Sequence, residues 1–309
     1  MKKKFIVFFI MLFLLLLSYI NKDITKEIIE TKSENVETLK NEKKDNIKKV
    51  SINYNNKNET LELEEYVTGV LACEMPASFD IEALKALSVS ARTYAVYKMY
   101  KNKDYVLKTT TKDQCYIDKE TMKTKWKNNY EKYYNKILKA TNETNNQILT
   151  YKDEPIIAFY FSISNGKTEN VENVFSQKLD YLVSVDSSYD KKYNYKESTI
   201  SIDLKDFYNK LNISKIENID IEKTSSGRVN YIKINNTKYK GTTFRTMFNL
   251  KSTDFEIKIN NNKVNITTKG YGHGVGLSEY GANAMALEGF KYDEILSHYY
   301  KNTKLVNNY

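Results

Sequence analysis

Apolar residues along the chain switch between two periods, and the switches mark out helices and strands. Val50-Ser51-Ile52-Asn53-Tyr54 alternates with the period of two expected of a strand with one covered face. Leu63, Tyr66, Val67, Val70 and Leu71 then recur at helical spacing, and the same face ends on Glu74. A second helix is predicted from about Asp80, with Ile81, Leu84, Leu87, Ala91 and Ala95 on one side and Lys85, Ser88 and Arg92 on another. Pro76 separates the two patterns, which predicts a helix-loop-helix unit. Strands are predicted at 148–151, 156–163, 231–234 and 255–259, and helical stretches at 282–287 and 295–300. Helices and strands in this irregular order predict an α+β fold rather than a wound α/β sheet. No repeat and no Pro- or Gly-rich linker interrupts the stretch from Val50 to Tyr309, which is expected to hold one mixed domain. The segment from about 194 to 264, rich in Asn, Lys and Ile, is expected to form a smaller inserted lobe.

The N-terminus has a different pattern. Lys2, Lys3 and Lys4 precede an unbroken apolar run from Phe5 to Leu17, extended by Ser18, Tyr19 and Ile20. Residues 5–20 as a helix span about 24 Å, slightly short of a bilayer core but helped by snorkelling lysines and an interfacial tyrosine. Ser18 to Asn21 offers no A-x-A-like cleavage site, and no cysteine follows for lipid attachment. Residues 1–21 are therefore expected to be an uncleaved anchor, in preference to a cleaved signal peptide. The lysines place the N-terminus in the cytoplasm and the rest of the chain outside. Residues 22–49 are charged, lack Gly and Pro, and carry too few apolar residues for a core face, which predicts a tether.

Composition narrows the choice of partner. The chain is 41% hydrophobic, enough for a real core and against a disordered protein. Its net charge of +9 favours polyanions, among them nucleic acid, anionic lipid and the polymers of a bacterial wall. The basic residues are interleaved with acidic ones and form no stripe or arm, so nucleic acid is not an expected partner. Cys73 and Cys115 do not make a disulfide framework. An extracytoplasmic pair can be oxidised, but the plainer expectation is two separate thiols. His273 and His298 lie far from both, and neither C-x-x-C nor H-E-x-x-H spacing occurs, so zinc is not expected.

Three clusters carry candidate chemistry. Glu74 points where the apolar face points and is followed by Met75-Pro76, which ends the helix. A carboxylate partly desolvated there gains proton affinity and suits general acid work near neutral pH; the plain alternative is a glutamate paired with a nearby lysine. Lys85 and Arg92, seven apart, project from one side of the second helix, either as a solvated face or as cations that hold substrate or orient Glu74. Between Gly270 and Gly289 lie six of the ten glycines, a density that lets main chain approach a ligand closely. His273 sits among them and is expected to face ligand, and Ser278 is placed to cap the following helix. His298 is expected to pack within its helix. No G-K-[ST] or dinucleotide fingerprint accompanies these glycines. Ser162-Ile163-Ser164-Asn165-Gly166-Lys167-Thr168-Glu169, after an apolar run, has the character of a site loop. Together these clusters fit a cleft for a hydroxyl-rich substrate, with the chain's many tyrosines as stacking platforms.

Four motifs resemble the stage II sporulation protein D family of lytic transglycosylases, which shares a domain with amidase-enhancer proteins. They are Tyr66-Val67 through Gly69-Val70 into Glu74-Met75-Pro76-Ala77-Ser78-Phe79; Glu82-Ala83-Leu84-Lys85-Ala86 through Ala91-Arg92-Thr93-Tyr94-Ala95; Ser164-Asn165-Gly166-Lys167-Thr168-Glu169; and Gly272-His273-Gly274-Val275-Gly276-Leu277-Ser278-Glu279-Tyr280-Gly281-Ala282. The resemblance implies cleavage of peptidoglycan between N-acetylmuramic acid and N-acetylglucosamine, leaving a 1,6-anhydro end, with Glu74 as the catalytic residue. It implies substrate contacts from Lys85, Arg92, Ser164, Asn165, Lys167, Thr168, His273, Ser278 and Tyr280. It also implies septal remodelling during sporulation, with stage II sporulation proteins P and M as partners. A non-catalytic wall-binding enhancer of an amidase is the alternative it allows. Some members of the family bind a structural zinc after the second helix. Thr109 to Tyr116 here holds only Cys115 and no histidine, so neither metal nor cofactor is expected. Asn165 stands where the family often has a second glycine and is expected to tolerate positive φ.

Overall fold

Strand β1 (Lys49–Tyr54) turns back into β2 (Lys57–Glu62) through Asn55 and Asn56, both at positive φ, the backbone that a tight two-residue hairpin requires. This hairpin opens a computed structural model that describes residues 48–307. The anchor expected at 1–21 and all but the end of the tether expected at 22–49 lie outside the described residues. No helix among the described residues is long and apolar enough to cross a membrane.

Helix α1 (Leu63–Glu74) follows β2 directly and ends where Met75 turns extended before Pro76. Helix α2 (Ile81–Lys101) is capped by Asp80, whose side chain accepts the Glu82 N–H. The pattern predicts a helix with one covered side. Instead, α2 is buried at every position from Ala83 to Val96 except Lys85, and it packs against α1 and five later elements. Its Ala and Ser residues allow this, because small side chains let neighbouring backbones close in around the helix.

Strand β3 (Val106–Lys108) pairs in parallel with β1, completing a three-stranded sheet in the order β2-β1-β3. Helices α3 (Lys119–Trp126) and α4 (Tyr130–Glu143) lead to β4 (Gln147–Tyr151), the centre of a sheet with β5 (Glu154–Pro155) on one side. The apolar run 156–163 predicts one strand, but only β6 (Tyr160–Phe161) forms a ladder there. Its neighbours are short: two residues of parallel pairing follow below, and Ile163 makes a single bridge to Tyr271. After the one-turn helix α5 (Glu172–Phe175), residues 188–196 form an irregular 3-10 segment.

Strand β7 (Ser198–Asp203), helix α6 (Leu204–Leu211), strands β8 (Ile219–Lys223), β9 (Val229–Ile234) and β10 (Thr237–Lys240), helix α7 (Gly241–Met247), and strands β11 (Phe255–Asn260) and β12 (Lys263–Thr268) come next. They make two antiparallel sheets, β10-β9-β8 and β11-β12-β7. One apolar cluster joins them, with Phe207, Ile232, Phe244, Phe255 and Ile266 at its centre. The last elements return to the first half of the chain. Strand β13 (Leu277–Ser278) pairs with β6, and helices α8 (Glu279–Leu287) and α9 (Tyr292–Tyr299) pack on α2. Strand β14 (Lys304–Asn307) adds to β4. Nine helices and five small sheets among the described residues make a mixed α+β fold.

Candidate active site

The last residue of α1 is a half-buried carboxylate at an element end, which is where the site is built. Glu74 Oε1 accepts the main-chain N–H of Cys115 at 2.7 Å. The Tyr160 hydroxyl, which accepts a hydrogen bond from Gln114 Nε2 at 2.9 Å, donates toward the same carboxylate. Lys125 of α3 lies nearby, its ammonium bonded to the Ala72 carbonyl at 2.8 Å. Burial raises the proton affinity of Glu74 above that of an ordinary glutamate, against the Cys115 N–H, the Tyr160 hydroxyl and the Lys125 charge, which all lower it. The net effect is upward, so the acid keeps its proton closer to neutrality while its orientation is fixed.

A second carboxylate faces the first. Glu279, the first residue of α8, is only 4% exposed, so burial pushes its carboxyl well above 4.5, the Glu74 charge pushes the same way and Lys196 opposes. The pairing of β13 with β6 brings it here, since Leu277 sits opposite Tyr160. The rim beside it is aromatic. Tyr280 meets Phe79 edge-on at 4.9 Å and Tyr193 at 4.8 Å, and the Lys196 ammonium lies 3.7 Å over the Tyr280 ring. Asn283 staples the loop after Glu74 to α8, accepting the Asp80 N–H at 2.7 Å and donating to the Tyr193 hydroxyl.

The cations expected on α2 are elsewhere. Arg92 is fully buried, with Nε 2.7 Å from Glu64 Oε1, Nη2 2.5 Å from Glu64 Oε2 and Nη1 3.2 Å from the Gln147 carbonyl. Glu64 lies ten residues before Glu74 on α1, about 15 Å along its axis, so Arg92 cannot touch a substrate at Glu74 as the sequence pattern suggests. Its role is to lock α1, α2 and β4 together. Lys85 is bound by Glu82 at 3.0 Å and Glu143 at 2.6 Å, tying α2 to α4. Burial lowers its proton affinity, and these two carboxylates more than reverse that.

The predicted site loop is also mostly internal. Ser164 and Ser278 are fully buried and donate to the same carboxylate, that of Asp190, as does Ser187. Ser278 caps α8 as expected, accepting the Gly281 N–H at 3.2 Å. Thr168 is buried, donating to the Val183 carbonyl at 3.2 Å. Asn165 donates to the Ser226 carbonyl and to Asp254, both at 2.9 Å. Asn165, expected to tolerate positive φ, does not adopt it, and Gly166 takes that backbone at 109°. Only Lys167 in this group is exposed.

The glycine loop admits close approach, but of protein rather than ligand. A Cβ on Gly274 would meet Arg228 Nε at 2.6 Å, and one on Gly276 would meet the Phe159 carbonyl oxygen at 2.0 Å. His273, expected to face ligand, is half-buried among Phe159, Phe161 and Phe175. Its Nδ1 accepts the Val275 N–H at 3.0 Å, and the main-chain carbonyl of Tyr160 holds the ring as well. Desolvation, then the charges of Arg245 and Arg228, push it down to about 3, so it is neutral under ordinary conditions. Of the residues expected in this loop, Tyr280 packs on Phe79 in the loop that follows Glu74. His298 packs on Tyr189 and Tyr299, as expected for a helix residue.

Four groups around Glu74 escape sequence reasoning. Tyr160 lies inside an apolar run and reads as core. Gln114 and Lys125 have no pattern at all, and Glu279 reads as a helix-start acid. Cys73 and Cys115 are joined, contrary to the plainer expectation of two free thiols. A cavity of about 490 Å³ lies at the other end of α1 and is lined by Glu62, Glu64, Glu65, Asp118 and Glu120 without Glu74, so its acidic wall does not serve this carboxylate.

Comparison with known proteins places the chain in a family. Residues 52–151, from β1 to β4 with α1, α2 and Glu74, match the family described as stage II sporulation protein. Residues 120–276 match a domain of unknown function. The chain is 41% identical to stage II sporulation protein D of Bacillus subtilis over 258 residues, covering 80% of this chain and 75% of that protein. It is 39% identical to the protein of the same description from Bacillus amyloliquefaciens over 257 residues, with the same coverage. The amidase enhancer of Bacillus subtilis is 29% identical over 297 residues, covering 77% of this chain and 40% of that protein. At this identity and coverage, the chain belongs to the stage II sporulation protein D family.

Proposed function

We propose that this sporulation-family protein is a lytic transglycosylase, cutting peptidoglycan between N-acetylmuramic acid and N-acetylglucosamine. The observation that carries the reading is Glu74: half-buried, raised in proton affinity, and held in one orientation by the Cys115 N–H. In this reading protonated Glu74 gives its proton to the glycosidic oxygen as an oxocarbenium-like centre develops on the muramic ring. The resulting carboxylate then takes the proton of the muramic 6-hydroxyl as that oxygen closes on the anomeric carbon. The acid is regenerated, and no water enters the product. One carboxylate serves both steps because the nucleophile belongs to the substrate. Glu279 supports the reading because burial and the Glu74 charge raise its proton affinity, which disfavours it as a second base or nucleophile. Tyr280 and Lys196 would border the sugar, with Lys167 contacting more distant parts of the polymer.

In the same proposal residues 50–309 form the catalytic part outside the membrane, tethered by 22–49 to an anchor at 1–21. The setting is the septum during engulfment, with stage II sporulation proteins P and M as partners.

The likeness to an amidase enhancer favours a second reading, in which the cleft holds glycan and cuts nothing. Incubating the full chain with peptide-free glycan strands separates the two by mass spectrometry of the products. Fragments with 1,6-anhydro ends are expected. Intact strands would leave the enhancer reading, and ordinary reducing ends would mean hydrolysis.

A further inference from the structure

Cys73 and Cys115 are 42 residues apart in the chain and bonded to each other, with Cα atoms 5.6 Å apart. Nothing in the proposed chemistry uses a thiol, yet both ends of this bridge adjoin the reacting carboxylate. Cys73 precedes Glu74 on the last turn of α1, and Cys115 supplies the N–H that Glu74 accepts at 2.7 Å. The residues flanking Cys115 belong to the same shell. Gln114 donates to the Tyr160 hydroxyl at 2.9 Å and accepts from Tyr66 at 3.1 Å. Tyr116 stacks on Tyr66, with centroids 5.7 Å apart, and fills the notch above Gly69, where a Cβ would come within 2.2 Å of its ring. Residues 109–118 have neither helix nor strand of their own. Only side-chain contacts, a few main-chain bonds and this covalent link fix the donor relative to the acceptor.

We propose that the Cys73–Cys115 disulfide is the positioning element of Glu74, clamping the Cys115 N–H onto the carboxylate so that the acid is presented to substrate in one orientation. The proposal rests on reading Glu74 as the reacting acid. A hydrogen bond weakens steeply once its angle falls off, so a donor on an irregular segment needs a second tether close by. The bridge supplies one, joining the donor residue Cys115 itself to Cys73, the residue before Glu74. Four other groups face Glu74: Lys125 from α3, Tyr160 from β6, Glu279 from α8 and Tyr66 from α1 itself. Of these only Tyr160 and Lys125 favour the ionised form together with the Cys115 N–H. Opening the bridge weakens that N–H contact, and Glu74 then holds its proton to higher pH.

The test uses the full chain in lipid nanodiscs with 13C at the glutamate carboxyls, the Glu74 signal being the one missing from Glu74→Gln. Its titration is followed in the oxidised protein, after reduction by dithiothreitol, and in Cys73→Ser/Cys115→Ser. In the reduction the disulfide takes up two electrons and two protons while the dithiol closes to its cyclic disulfide. The Glu74 midpoint is expected to rise by about one pH unit in both opened forms, the scale of one weakened charge-assisted bond. Release of anhydro-ended fragments should fall about tenfold and recover when the reduced protein is reoxidised by oxidised glutathione. A midpoint that stays put in the opened forms overturns the proposal, as do free thiols at both positions in protein isolated without reductant. A midpoint that moves in a protein that never cuts glycan supports the positioning and sinks the transglycosylase reading alone.

Discussion

At the last turn of α1 a titratable carboxylate is half-buried, supported by donors and left with a side toward solvent. In the loop from Gly270 to Gly276 the polar groups are answered by the protein itself. His273 is taken up by main chain on both sides, and Gly274 and Gly276 lie against Arg228 and the Phe159 carbonyl. Both regions are motif-rich and adjoin β6, yet one leaves chemistry open while the other closes it off. Clustered glycine therefore reports that something comes close to the backbone, not that a ligand does. A lone acid at a helix end is the more informative signal when the helix face leading to it is apolar.

The sharpest way to break this contrast is Glu74→Gln. Loss of the acid should cut glycan cleavage by about 10²–10⁴-fold while the melting temperature stays nearly unchanged. A variant retaining most of its activity would remove Glu74 from the chemistry. In the glycine loop the effect should fall on folding instead. Gly276→Ala meets a backbone oxygen and a positive φ of 78°, and it should cost about 3 kcal/mol or more in urea unfolding, with cleavage per folded molecule preserved. Normal stability with selective loss of glycan binding would instead put that loop against ligand.

A smaller effect is expected from acid. His273 titrates at about 3 in the folded chain against 6.5 ordinarily, so the unfolded chain takes up the proton first as pH falls. Its effect on stability is absent above 6.5 and grows as pH drops toward about 3. His273→Phe should flatten that part of the urea-midpoint profile, and an unchanged profile would place the imidazole in water. The smallest effect should come from Lys125→Gln. Removing a charge that favours ionised Glu74 raises the proton affinity of the acid, so the alkaline limb of the cleavage profile should move up by less than about one pH unit. Movement in the opposite direction would contradict the position given to Lys125.

Local structure was largely legible where the physics is local. The period of apolar residues located α1, and Pro76 located its end; Asp80 and Ser278 announced their helix starts by residue type. The hairpins at 55–56 and 261–262 also rest on short-range chemistry, Asn at positive φ in place of glycine, although the apolar pattern alone does not announce them. What misled were side chains whose partners are distant. Arg92 looks like a substrate cation because nothing nearby in sequence announces Glu64 as the partner of its fully buried guanidinium. The apolar run 156–163 looked like one strand, but its neighbours offer only two residues of ladder.

By itself the sequence determined the helix that ends on Glu74, the α+β order of elements and the family, because periodicity, capping and motif order are properties of neighbouring residues. Only the tertiary structure decided what Glu74 can do. Its proton affinity depends on the Cys115 N–H, Tyr160, Lys125 and the depth of burial, and those arrive from residues 41 to 86 positions away or from the packing of the whole domain. Electrostatic strength in a protein is set by what surrounds a charge in space, and that arrangement exists only once the chain has closed on itself.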